Sequence, residues 1–248
     1  MRSVLAIFLC LGVVMLAVAC GGDGDQAAEG TRPASTGGTS GGPAVVVDGP
    51  ASRYAPFLEE ISRLGSFDVY PPETFGIAAA TWSLTGPFSS ITDGEAKAEE
   101  WGYNEGFNIQ YQPRNLLAGV LQGNYYVTIQ VHIFDTVEGA EQGFGAYETT
   151  TGNAGGDELS PKGLGNESFA YELKEGLVSR SEVVAVYHRF VFRRGNVVAT
   201  VQTYGAEPFM TIDPAREVAV MIDDRILGNT EAIEPTPIPP PIQTGSGS

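Results

Sequence analysis

Tyr125, Val127, Ile129, Val131 and Ile133 alternate with Tyr126, Thr128, Gln130 and His132. A side-chain period of two belongs to a β-strand, and alternation this long excludes a helix. Phe107, Ile109 and Tyr111 alternate in the same way with Asn108, Gln110 and Gln112. Two such strands require a sheet with a buried face, and the remaining elements must be arranged to cover it. On this reading His132 shares the solvent side with Thr128 and Gln130.

The rest of the chain supplies partners and covers. Tyr54, Phe57, Leu58, Ile61 and Leu64 fall on one helical face that Gly65 ends. Thr92-Asp93-Gly94-Glu95 reads as a capping box opening a short helix that runs to Trp101-Gly102. A helix starts near Asp135-Thr136, with Val137, Ala140, Phe144 and Tyr147 on one side. Strands follow at 167–173, 183–193 and 197–204, the last two joined by the tight-turn sequence Arg194-Gly195-Asn196. Asp213-Pro214 opens a final helix whose stripe is Ala215, Val218, Ile222 and Ile226. The expected fold is α+β: a mainly antiparallel sheet packed with helices, an α/β sandwich, in a single domain over residues 45–228.

The N-terminus reads as an export signal. Arg2 precedes an apolar run from Val4 to Val18. That run is shorter than the ~20 residues of a comfortable membrane span. It ends in Leu16-Ala17-Val18-Ala19-Cys20, which resembles the lipobox of bacterial lipoproteins, with Ala17 where Leu is commonest. The resemblance implies cleavage after residue 19, a diacylglycerol on the Cys20 sulfur and an acylated amine, holding the protein on the membrane from the outer side. The chain has two cysteines, Cys10 and Cys20, and Cys10 leaves with the signal. The mature chain therefore has no intramolecular disulfide, and its lone Cys is explained by lipidation. Residues 20–44, rich in Gly, Ser and Thr, read as a linker, and residues 229–248, with Pro235, Pro237, Pro239, Pro240 and Pro241, as a solvated tail.

Charge narrows the partners. Lys plus Arg number 14 against 30 Asp plus Glu, and losing Arg2 leaves 13 against the same 30. Nucleic acid and anionic surfaces are disfavoured as direct partners. Solubility is the plainer use of such a charge.

Three runs carry a resemblance across residues 93–227: Ile133-Phe134-Asp135-Thr136 with Gly139-Ala140, Gly163-Leu164-Gly165-Asn166-Glu167-Ser168, and Phe192-Arg193-Arg194-Gly195-Asn196-Val197-Val198. With the lipobox, they are similar to small bacterial envelope lipoproteins with a PsbP-like α/β sandwich, and to the extracellular sensor domains of some bacterial kinases. The resemblance implies binding at the envelope, not catalysis.

Catalytic signatures are not found. Asp23-Gly24-Asp25 begins like a calcium loop, but Ala28 and Ala34 stand where the turn glycine and final carboxylate are needed. Gly38-Thr39-Ser40-Gly41-Gly42 matches GxSxG but lies in the linker, with no strand before it. His132 and His188 lack metal-ligand spacing, and no cofactor motif occurs. Glu99, Glu100 and Glu105 are candidates for a carboxylate pair acting on glycan only in the sense that acids are plentiful.

Two groups are candidates for ligand binding. Arg189, Arg193 and Arg194 cluster in a chain poor in positive charge, and guanidinium forks grip carboxylate or phosphate. The plain alternative is a solubilised hairpin end, with Arg189 paired to a neighbouring Glu. Trp101 and Tyr103 lead an aromatic group with Trp82, Phe107, Tyr111, Tyr125 and Tyr126, fit for a ring ligand or for the core. The expectation is a lipid-anchored, extracytoplasmic, non-enzymatic domain that binds a small envelope molecule or protein. A glycan-acting enzyme and a structural or assembly lipoprotein are the alternatives.

Overall fold

The computed structural model describes residues 45–233. The signal, Cys20, the linker through residue 44, with Asp23-Gly24-Asp25 and the GxSxG run inside it, and the prolines from Pro235 lie outside the described residues.

Among the described residues, eight strands form one antiparallel sheet. They are β1 (Phe67–Val69), β2 (Phe75–Ile77), β3 (Tyr103–Pro113), β4 (Tyr126–Phe134), β5 (Asp157–Leu159), β6 (Glu167–Leu177), β7 (Val184–Arg194) and β8 (Val197–Ala206). The order is β1-β3-β4-β8-β7-β6-β5, with β2 also on the outer edge of β3. The two alternating segments pair with each other, Ile129 opposite Ile109, and β8 closes the other side of β4, Val201 opposite Ile129. The expected α+β domain, an antiparallel sheet packed with helices, is what the chain forms.

Helices cover both faces. On the first, Ile109, Ile129, Val131, Phe190, Phe192 and Val201 pack with Val218, Ala219 and Ile222 of α6 (Asp213–Ile226). On the second, Phe134, Phe169, Val191 and Val198 pack with Ala140, Phe144 and Tyr147 of α5 (Val137–Asn153). Trp82 of α2 (Ala79–Thr85) and Ala98 of α3 (Ile91–Glu100) complete that cover beside Tyr103. His132 therefore does not face water: it is 1% exposed, which corrects the expectation from the alternation, while Thr128 and Gln130 on the same side are half-buried. Period two says which residues share a face; it does not say what lies over that face.

Other departures are local. The expected helix from Tyr54 is broken into a 3₁₀ turn (Ala51–Tyr54) and one turn of α-helix, α1 (Leu58–Ile61). Pro56 between them has no N–H to continue a ladder. Glu60 restarts the chain by accepting the Phe57 N–H at 2.7 Å. The cap of α3 lies earlier than expected: Ser90, not Thr92, accepts the Asp93 N–H at 3.1 Å. Asp213 is the first residue of α6 rather than its cap, with Ile212 before it. Strands β1, β2 and β5 have three residues each, too few to display alternation.

The β7–β8 hairpin is clasped rather than solvated. Asn196 Nδ2 donates to the Val47 and Phe134 carbonyls at 2.8 and 2.7 Å, and Asn196 Oδ1 accepts the Val47 N–H at 2.9 Å. Gly195 has φ of +56°, and a Cβ there would fall 1.4 Å from the Val45 carbonyl oxygen, so this position takes only glycine.

Candidate functional site

The arginine cluster divides into three separate environments. Arg194 forms a two-pronged pair with Asp223 of α6, both bonds 2.7 Å. That partner is the first cause holding its pKa above the usual arginine value. Arg193, 5% exposed, reaches Glu167 at 2.9 Å and Glu141 at 3.2 Å. Its Nη1 also donates to the Gly195 carbonyl at 3.1 Å. These two guanidiniums are spent inside the fold and point to opposite faces of the sheet.

Arg189 differs. Its Nε and Nη2 donate to Gln202 Oε1 at 3.3 and 2.7 Å, and its Nη1 donates to Thr151 Oγ1 at 3.3 Å. All three acceptors are neutral. Among the described residues no carboxylate pairs with it, and burial pushes its pKa below the usual value.

Trp101 and Tyr103 lie away from the arginines. Trp101 is half-buried against Trp82 and Phe88. Tyr103 stacks on Trp82 with centroids 4.1 Å apart and planes 8° from parallel. Behind them is a buried polar chain. Trp82 Nε1 donates to Tyr147 Oη at 3.2 Å, and Tyr147 Oη lies 2.9 Å from His132 Nε2. Tyr103 Oη lies 3.2 Å from His132 Nδ1 and donates to the Ile77 carbonyl at 3.3 Å. One proton arrangement satisfies every member: Tyr147 donates to Nε2, and Nδ1 donates to Tyr103. Burial lowers the His132 pKa to about 3 and pushes Tyr147 up to about 12, so both are neutral at ordinary pH. The chain is closed to solvent and acts as a structural clamp between β3, β4, α2 and α5.

The less deeply buried part of the same face lies beyond Thr151 of α5. Thr151, in the last turn of that helix, touches Arg189. One strand row further, Tyr126, Tyr204 and Tyr187 sit side by side across β4, β8 and β7. Their ring centroids are 5.8 Å apart for Tyr126–Tyr204 and 4.7 Å for Tyr187–Tyr204. All three are half-buried, as are Thr128, Gln130, Gln202 and Arg189 beside them. At the far end the tyrosines pack with Val120 and Leu121, at and just after α4 (Leu116–Val120), and with Val178 and Val183. These half-buried side chains form one strip of tyrosine and amide groups, the tyrosine trough, with Arg189 beside it. Burial raises the pKa of each of the three tyrosines.

Tyr187, Tyr204, Gln202 and Thr151 were not candidates from sequence. The signal was present in the hairpin: counting outward from the Arg194–Val197 pair sets Arg189 opposite Gln202 and Tyr187 opposite Tyr204. Glu99 and Glu100 are exposed on α3, and Glu105 accepts the Ala51 N–H at 2.9 Å, so these acids do not face one another across a cleft. His188 lies on the opposite face to the trough, its Nε2 2.8 Å from Glu172. Burial, opposed by Glu172, lowers its pKa.

No family model matches the chain, and no curated protein matches it. Among solved structures, the extracellular domain of PknH from Mycobacterium tuberculosis is similar at 14% identity, over 74% of this chain and 98% of that one, with a TM-score of 0.45.

Proposed function

We propose that this protein is an exported, lipid-anchored, non-enzymatic binding domain, tethered through Cys20, that holds a small envelope molecule in the tyrosine trough. The observation that carries the reading is the Tyr126–Tyr204–Tyr187 ladder, left half-buried on a sheet whose remaining second face is helix-covered. A row of aromatic rings beside a row of Thr128, Gln202 and Arg189 offers a stacking surface with hydrogen-bonding groups at its edge, the usual composition of a small-molecule site. The dispersal of Glu99, Glu100 and Glu105 weighs against the paired-carboxylate alternative.

Two measurements test this. Intact mass of the full-length protein extracted in detergent is expected to carry a diacylglycerol on Cys20, and Cys20→Ala is expected to release the protein from the membrane. An unmodified Cys20 on a membrane-free protein would overturn the anchor. For the trough, native mass spectrometry of the same protein is expected to detect a retained small molecule that Tyr204→Ala loses. A retained mass that survives in Tyr204→Ala would move the binding site elsewhere.

A further inference from the structure

Arg193, Arg194 and Arg225 each have a carboxylate: Glu167 and Glu141, Asp223, and Glu60. Arg189 has none among the described residues, in a chain with 30 acids for 14 bases. A half-buried cation held only by neutral groups is costly to keep without a counter-charge, and an internal acid is the usual remedy. Here the sheet offers an amide instead. Gln202 grips one edge of the guanidinium and Thr151 touches another, which orients the fork without neutralising it. A guanidinium has five N–H donors, and three are engaged here. The remaining donors suit an incoming anion.

The tyrosine ladder begins two residues along the strand, at Tyr187, which at the rise of a β-strand is about 7 Å from Arg189. That is the span of a six-membered ring and the acid group it carries. We infer that Arg189 anchors the anionic group of a small acidic ring compound, an aromatic acid or an acidic sugar, whose ring lies on Tyr187 and Tyr204. This rests on the trough being a binding site. The three phenols, kept protonated by burial, add hydrogen-bond donors and no opposing charge.

The test pairs each acid with its neutral counterpart on the full-length protein in detergent: 4-hydroxybenzoate against 4-hydroxybenzyl alcohol, and glucuronate against glucose. Affinities are read by ligand-observed NMR titration. At least one acid is expected to bind tenfold or more tighter than its neutral partner, and which pair does so identifies the source of the ring. Arg189→Gln is expected to remove that preference. Because Arg189→Gln can disturb the fold, Gln202→Glu is the second variant: it keeps the arginine, supplies an internal carboxylate, and is expected to weaken the acid tenfold or more with an unchanged or higher melting temperature. Acid binding that survives Gln202→Glu overturns the inference. Neutral rings binding as well as their acids, with loss in Tyr204→Ala, overturns the anion anchor and leaves the trough standing. No binding by any of the four removes both.

Discussion

His132 shows what one residue can do when its surroundings are complete. Both ring nitrogens have a tyrosine hydroxyl, and the two tyrosines are themselves held by Trp82 and by the Ile77 carbonyl. Buried networks of this kind stabilise only when every member is satisfied. His132→Phe is therefore expected to cost about 2 kcal/mol at pH 7, because each tyrosine hydroxyl loses one of its two bonds. It also changes the response to acid. The folded pKa, about 3, lies below the usual 6.5, so the unfolded chain takes up the proton first. That contribution is intact above pH 6.5 and is lost as pH falls toward 3, at up to about 1.4 kcal/mol per unit. Acid unfolding followed by circular dichroism is expected to be less steep in His132→Phe; an unchanged slope would mean that His132 is charged in the fold. Gly106 guards the same network: a Cβ there would lie 2.5 Å from Tyr103 Oη and 2.9 Å from His132 Nδ1. Gly106→Ala is expected to lower stability by about 1–3 kcal/mol in denaturant titration. None of this was legible in the sequence, where His132 is simply a polar residue in an alternating strand.

At the level of elements, legibility followed length. The strands β3, β4, β6, β7 and β8 each run ten residues or so, and their alternation or their turn marked them. Helix α5 was legible from its stripe, and Thr136 does cap it, accepting the Gly139 N–H at 3.0 Å. The three-residue strands were invisible because pairing with a neighbour, not their own composition, makes them strands. Helix α2 lacks a side-chain cap and was equally hidden. The Arg189 site is partly legible, since an arginine stands out in a chain poor in positive charge but its amide partner lies on the next strand. Beside the apolar stripe of α6, the Arg194–Asp223 pair fastens the hairpin to that helix. Asp223→Ala is expected to cost about 3–5 kcal/mol, because it strands a buried guanidinium. The double variant Arg194→Met with Asp223→Leu is expected to recover most of that loss in thermal melts, since an apolar pair replaces a buried ion pair with little penalty. A double variant as unstable as the single one would show that the charges themselves hold α6 in position.

Across the whole domain, the sheet has two distinct ends. The β7–β8 hairpin, the segment from Val45 and the contact of Arg53 with the Ala232 carbonyl lie at one end. The tyrosine trough, α4 and Phe209, which borders Gly123, lie toward the other. The α+β class followed from the alternation and the helical stripes, but this polarity did not, because it depends on where the chain enters and leaves. The entry point has a mechanical consequence. A load applied ahead of Val45 meets first the bond from the Asn196 N–H to the Val45 carbonyl and then the Asn196 side chain, whose three bonds to Val47 and Phe134 tie the incoming segment to the middle of the sheet. Tension is thus delivered to β4 and β8, the best-supported strands, and not to an edge that could be peeled away. The clip is thus placed as a fuse: under a pull from this side it is expected to part before the strands behind it, with the trough at their far end the last to feel the load.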